Sequence, residues 1–69
     1  MPNSVYKIIE LVGSSPKSWE QAAQNAITLA SKSLRDLRIA EVCTMDAHIS
    51  DGKIESYRVK LKVSFKYEG

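Results

Sequence analysis

Residues 50–67, S-D-G-K-I-E-S-Y-R-V-K-L-K-V-S-F-K-Y, carry the fold. Asp51-Gly52 separates two strand-like runs, the strongest short signal for a two-residue hairpin loop. A type I′ turn is expected, because its central residues take positive φ, which glycine tolerates. Beyond the turn the alternation is unbroken. Tyr57, Val59, Leu61, Val63, Phe65 and Tyr67 face one way, and Ser56, Arg58, Lys60, Lys62, Ser64 and Lys66 the other. One face is built for a core and the other for water or an anion.

Before the turn, residues 38–49 read as the partner strand. Strict period two places Ile39, Glu41, Cys43, Met45, Ala47 and Ile49 on one face. Ala40, Val42, Thr44, Asp46 and His48 then lie opposite, so burial on both sides is expected near residues 39–42. Further back, residues 5–12 (V-Y-K-I-I-E-L-V) are rich in β-branched and aromatic residues, and Gly13-Ser14-Ser15-Pro16 reads as the closing turn. Residues 1–4 form a short polar lead that is expected to fray.

Between the first two strands, Ser18-Trp19-Glu20-Gln21 has the pattern of a capping box, with Glu20 in the first turn where the helix dipole favours it. A helix is expected over residues 19–34. Trp19, Ala22, Ala23, Ala26, Ile27, Ala30 and Leu34 recur at helical spacing as one narrow, alanine-rich stripe. Such a stripe lets the helix sit close against a sheet. The order is therefore β-α-β-β, an α+β fold with the third strand central if all pairings are antiparallel, and a single domain over residues 1–69.

Size sets a further constraint. A chain of 69 residues buries a marginal core, and below about 70–80 residues some staple is usually required. One cysteine, Cys43, excludes an internal disulfide, and with the lone His48 it makes no zinc site. Oligomerisation is left by elimination. The two long strands would span roughly 40 Å at about 3.3 Å per residue, whereas a helix of about 16 residues reaches only about 24 Å. Ile49, Ile54 and Tyr57 at the far end then need another molecule to cover them. Hydrophobic content of 43% and charged content of 26% describe an ordinary globular chain, and a net charge of +2 is too small to announce nucleic acid. No apolar run approaches membrane length and no signal-peptide pattern opens the chain, so with a free thiol a cytoplasmic location is expected.

No catalytic constellation stands out. Cys43 and His48 lie five apart on a strand and cannot form a dyad within one chain; Cys43 reads as a small core hydrophobe. Ser14-Ser15 is turn chemistry, and Trp19 reads as a core or subunit contact. An enzyme is not expected. The stripe Arg58, Lys60, Lys62 and Lys66 is either a solvated face balanced by Glu10, Glu41 and Asp46 or an anion-receptive surface. Its aromatic neighbours alternate onto the opposite face, which counts against nucleic acid.

Three pieces of the chain together resemble the dodecin family: V-Y-K-I-I-E-L-V-G-S-S-P, then K-S-L-R-D-L before the second strand, then D-G-K with Y-R-V-K-L-K-V-S-F. The resemblance runs from about Val5 to Glu68. It implies a hollow homododecamer that holds flavins such as FMN or riboflavin, stacked in pairs between aromatic side chains at subunit interfaces. Relatives of this kind store or scavenge flavin and quench it; some bind coenzyme A. By the same resemblance, Ile39 stands where the family has its stacking tryptophan, and Arg58 where a glutamine meets the flavin ring. Asp46 stands where the second strand usually carries a basic residue. Lys66, after Phe65, keeps the charge that can meet phosphate. The implied function is a shell for flavin in an altered pose or for another anionic small molecule. A structural shell without flavin and, further off, a nucleic-acid-binding oligomer are the alternatives.

Overall fold

The central element is β3 (Lys53–Lys66), flanked on both sides by antiparallel partners. The computed structural model describes residues 4–67; residues 1–3 of the polar lead, Glu68 and Gly69 lie outside that span. In chain order the elements are β1 (Tyr6–Ser15), α1 (Trp19–Ala30), β2 (Leu37–Ser50) and β3, and the sheet order is β1-β3-β2. Val59, Leu61 and Val63 of β3 are each 1% exposed, and they form the core with Ala22 and Ala26 of α1. Ile9, Leu11, Trp19, Ala23, Ile27 and Leu37 pack around them.

The hairpin has the expected turn. Asp51 and Gly52 take φ of 54° and 72°, both left-handed, as a I′ loop requires. No heavy atom lies within 4 Å of the position a Gly52 Cβ would take, so a side chain there meets open space and only the backbone objects. A β-branched residue in this region is strained by about 1–2 kcal/mol. Gly52→Val is therefore expected to lower the melting temperature measurably; an unchanged melt would remove the turn from the list of specifying features.

Three of the expected local details are revised. First, β1 continues through Gly13, Ser14 and Ser15, which pair with Val59, Arg58 and Tyr57. These small residues give α1 room to lie against the strand rather than ending it. Second, α1 ends at Ala30, not Leu34. Beyond Ser31 the Lys32 and Ser33 amides bond three residues back, to Leu29 and Ala30, and the chain tightens into turns. Third, the capping box is only half formed. Ser18 Oγ accepts the Gln21 amide at 3.0 Å, but the Gln21 side chain turns along the helix to donate to Asn25 Oδ1 at 2.8 Å.

The largest revision concerns β2. Its register against β3 shifts between Leu37 and Ile39 and again between Val42 and Thr44, leaving Arg38 and Cys43 as extra residues. Each bulge flips the face of the residues beyond it. Ala40 and Val42 lie level with Val63 and Leu61, and Met45 and Ala47 with Val59 and Tyr57, on the face that α1 covers. Glu41, Thr44, Asp46 and His48 lie level with Lys62, Lys60, Arg58 and Ser56 on the other. Cys43 is exposed at the bulge instead of buried in a core.

The mismatch of lengths is larger than expected. The 12-residue helix covers about 18 Å at about 1.5 Å per residue, against two 14-residue strands in a molecule 54 Å long. Ile49 and Ile54, paired at the hairpin end, are 64% and 53% exposed.

Candidate functional site

The face of the sheet turned away from α1 carries charged side chains from all three strands. Rows across it are set by the register. Tyr6 sits beside Lys66, and Ile8, Ser64 and Ile39 form the next row. Glu10, Lys62 and Glu41 come after them, and Ser14, Arg58 and Asp46 lie further toward the hairpin. From Ser56 to Lys66 each β3 residue on this face is polar and four of the six are cations, while the neighbouring strands supply the anions.

Electrostatically, much of the stripe is balanced. Arg58 Nε and Nη2 donate to Asp46 Oδ1 and Oδ2 at 2.8 and 2.9 Å, a fork-to-fork pair. Lys60 Nζ lies 3.6 Å from Glu10 Oε1, and His48 Nδ1 lies 3.2 Å from Glu55 Oε1. Lys62 has Glu10 and Glu41 in register on either side. Among the described residues, however, no carboxylate comes within ion-pair distance of Lys62 or of Lys66.

The hydrogen bonds from Arg58 hold the Asp46 carboxyl below its ordinary value, and the same bonds raise the guanidinium. A depressed carboxylate contributes to the fold above its unfolded-state value and loses that contribution as pH falls through the folded-state value. The pair is thus intact across neutral pH. Both side chains are about half exposed, so solvent screens the attraction.

Trp19 serves the opposite face. Its indole N–H donates to the Asp46 backbone carbonyl at 3.0 Å, and its ring meets Tyr57 edge-on, with centroids 4.7 Å apart. The single tryptophan of the chain is therefore committed to packing α1 on the hairpin. The bond to Asp46 has no signature in the sequence, because it joins residues 27 positions apart.

The four positions singled out by resemblance fall in two places. Asp46 and Arg58 touch, while Ile39 and Lys66 lie near the other end of β3. From Arg58 to Lys66 is eight residues, roughly 26 Å along a strand. Ile39 is 68% exposed beside Ser64 and offers apolar area but no ring. Among the described residues no group of three or more His, Cys, Asp or Glu could hold a metal ion, and no helix is long and apolar enough to cross a membrane.

Comparison with known proteins agrees with this architecture. The Dodecin family model matches residues 5–68. Over 64 residues the chain is 53% identical to the calcium dodecin of Mycobacterium tuberculosis, covering 91% of this chain and 89% of that protein. Over 64 residues it is 41% identical to the dodecin of Thermus thermophilus, covering 93% of each. Among solved structures, dodecin from Streptomyces coelicolor superposes with a TM-score of 0.95 at 40% identity, covering 100% of this chain and 99% of that one. The calcium dodecin structure from Mycobacterium tuberculosis superposes at 0.84 with 46% identity, covering 94% and 93%. With one helix laid on three antiparallel strands and a match over nearly its whole length, this chain belongs to the dodecin family.

Proposed function

We propose that twelve copies of this chain form a hollow shell that holds a small molecule on the polar face of its sheets and does no chemistry on it. The observation that carries the reading is the uncovered hairpin: a short helix leaves Ile49 and Ile54 in water, and a core of five buried apolar residues among those described is small for a free-standing chain. Further copies supply the missing apolar cover. The exposed free thiol of Cys43 suits a reducing compartment, the cytoplasm.

The residues present do not fit a flavin held in the family manner. Ile39 has no π-face to sandwich a ring, and Arg58 is already engaged by Asp46. Lys62 and Lys66, the latter next to the half-exposed Tyr6, are the cations of the stripe offered to an anionic group. Binding of riboflavin or FMN is accordingly weak and poorly quenched in this reading, and a related anionic molecule is an equal candidate. A second reading, a cation-holding shell, is favoured by the 53% identical relative named for calcium. Its ligands would have to come from several copies.

Native mass spectrometry with riboflavin and Ca²⁺ titrations tests this. The expected species is a stable dodecamer of 7.7 kDa chains that binds riboflavin weakly with little quenching. A stable monomer or dimer at micromolar concentration overturns the shell. Tight, fully quenched riboflavin overturns the account of Ile39 and Arg58. Stoichiometric Ca²⁺ uptake without flavin binding selects the second reading.

A further inference from the structure

Two apolar features stand uncovered at opposite ends of the molecule. The first is a groove between β1 and the last turns of α1, lined mainly by Ile9, Leu11, Ala26, Leu29, Ala30 and Leu34 and offering about 360 Å³. Leu29, on its wall, is 68% exposed. The second is the hairpin end. Ile49 continues the face of Met45 and Ala47 on β2, and β3 takes an extra residue, Glu55, at this point, which brings Ile54 level with Ile49.

Neither feature can cover the other within one chain. The hairpin projects past the first turn of α1, where Trp19 meets Tyr57, and the groove lies along the last turns. The two match in size. An apolar cavity of about 150 Å³ accepts a single benzene ring, so the groove has room for two aliphatic side chains, and the hairpin presents two, paired across its strands. They match in charge as well. Residues 49–55 carry Asp51 and Glu55 against Lys53 alone, whereas Lys7 and Lys32 each stand two residues from a groove residue, Ile9 and Leu34. A knob and a groove on different parts of one surface make a heterologous contact, which repeats from copy to copy and forms a ring if the rotation closes.

The geometry points to a head-to-tail insertion in which Ile49 and Ile54 of one copy enter the β1–α1 groove of the next and pack against its Leu29. The inference rests on the shell proposed above and names a contact that builds it. Each copy gives one hairpin and receives one, so a closed ring leaves neither surface in water.

Disulfide trapping tests the insertion, in a Cys43→Ser background so that the exposed native thiol takes no part. A disulfide needs Cα atoms within about 7 Å, so it reports direct contact. With Ile49→Cys and Leu29→Cys in the same chain, diamide oxidation is expected to convert the monomer band of a denaturing gel into a ladder of multimers that a reductant reverses. Either substitution alone is expected to stay monomeric on that gel. Should the pair fail to assemble by native mass spectrometry, Ile54→Cys with Ser33→Cys replaces it, since Ser33 lines the same groove and differs from cysteine by one atom. A wild type that assembles while neither pair cross-links overturns the insertion alone, because the groove then takes another part of a copy. Cross-linking of Ile49→Cys by itself, as fast as the pair, overturns it too, because hairpin then meets hairpin. A wild type that stays monomeric removes the shell and the insertion together.

Discussion

Gly13→Ala is expected to abolish the native fold or to leave it grossly destabilised. Gly13 lies in β1 opposite Val59, where α1 comes closest to the sheet. A methyl group added there would collide with the Ala22 backbone carbonyl oxygen and stand 3.0 Å from the Ala26 Cβ. Neither obstacle can rotate away, because one is helix backbone and the other a single methyl carbon. Ala22 is fully buried, so the helix can yield only by lifting off the core it closes. Overpacking of this kind typically costs about 1–3 kcal/mol, and a rigid backbone obstacle puts it at the upper end or beyond. A domain is stable by only about 5–15 kcal/mol in total, and a small core sits low in that range. A loss near 3 kcal/mol corresponds to a fall of about 12–24 °C in melting temperature for a domain of this size. Thermal unfolding monitored by circular dichroism checks it. A melt within a few degrees of wild type would show that helix and strand can separate at Gly13 at little cost.

Ile39→Trp is expected to convert a weak, poorly quenched flavin binder into a tight, strongly quenched one. Position 39 is widely exposed beside Ser64, on the polar face and on the same half of the sheet as Lys66. A large planar side chain there meets no buried neighbour and should leave folding intact. Stacking of a ring on an aromatic side chain is worth roughly 1–3 kcal/mol, by analogy with base–aromatic contacts. At about 1.4 kcal/mol per factor of ten, that is roughly a 5- to 150-fold gain in affinity. An indole in contact also supplies the donor that quenches flavin fluorescence, so two readouts move together. Fluorescence titration of riboflavin into wild type and variant measures both. No gain, with the assembly intact, would mean that residue 39 does not face the ligand.

Much of the architecture was legible from local rules. Asp51-Gly52 announced the hairpin because positive φ at both central positions is a property of those residues alone. The alternation of β3 predicted its buried face, since every second side chain of an unbroken strand points the same way. Ser18 and the alanine stripe marked where α1 begins and why it can sit close. The resemblance to dodecins was likewise present in the order of residues, because it rests on identity rather than on contact.

What local rules could not supply depended on partners distant in the chain. The bulges at Arg38 and Cys43 exist because β2 must stay in register with β3, and nothing in L-R-I-A-E-V-C-T-M reveals a skipped pairing. They moved Met45 and Ala47 onto the covered face and left Thr44, Asp46 and His48 among the cations. Gly13 looked like a turn residue until Ala22 was placed against it. Asp46 and Arg58, twelve positions apart, became one fork only when the hairpin closed, and Trp19 reached the Asp46 carbonyl only when α1 docked. Residue type and spacing determine strand, helix and turn because those depend on each residue and its near neighbours. Face, close approach and ion pairing were settled by packing, because each is a relation between segments that meet only in the folded chain.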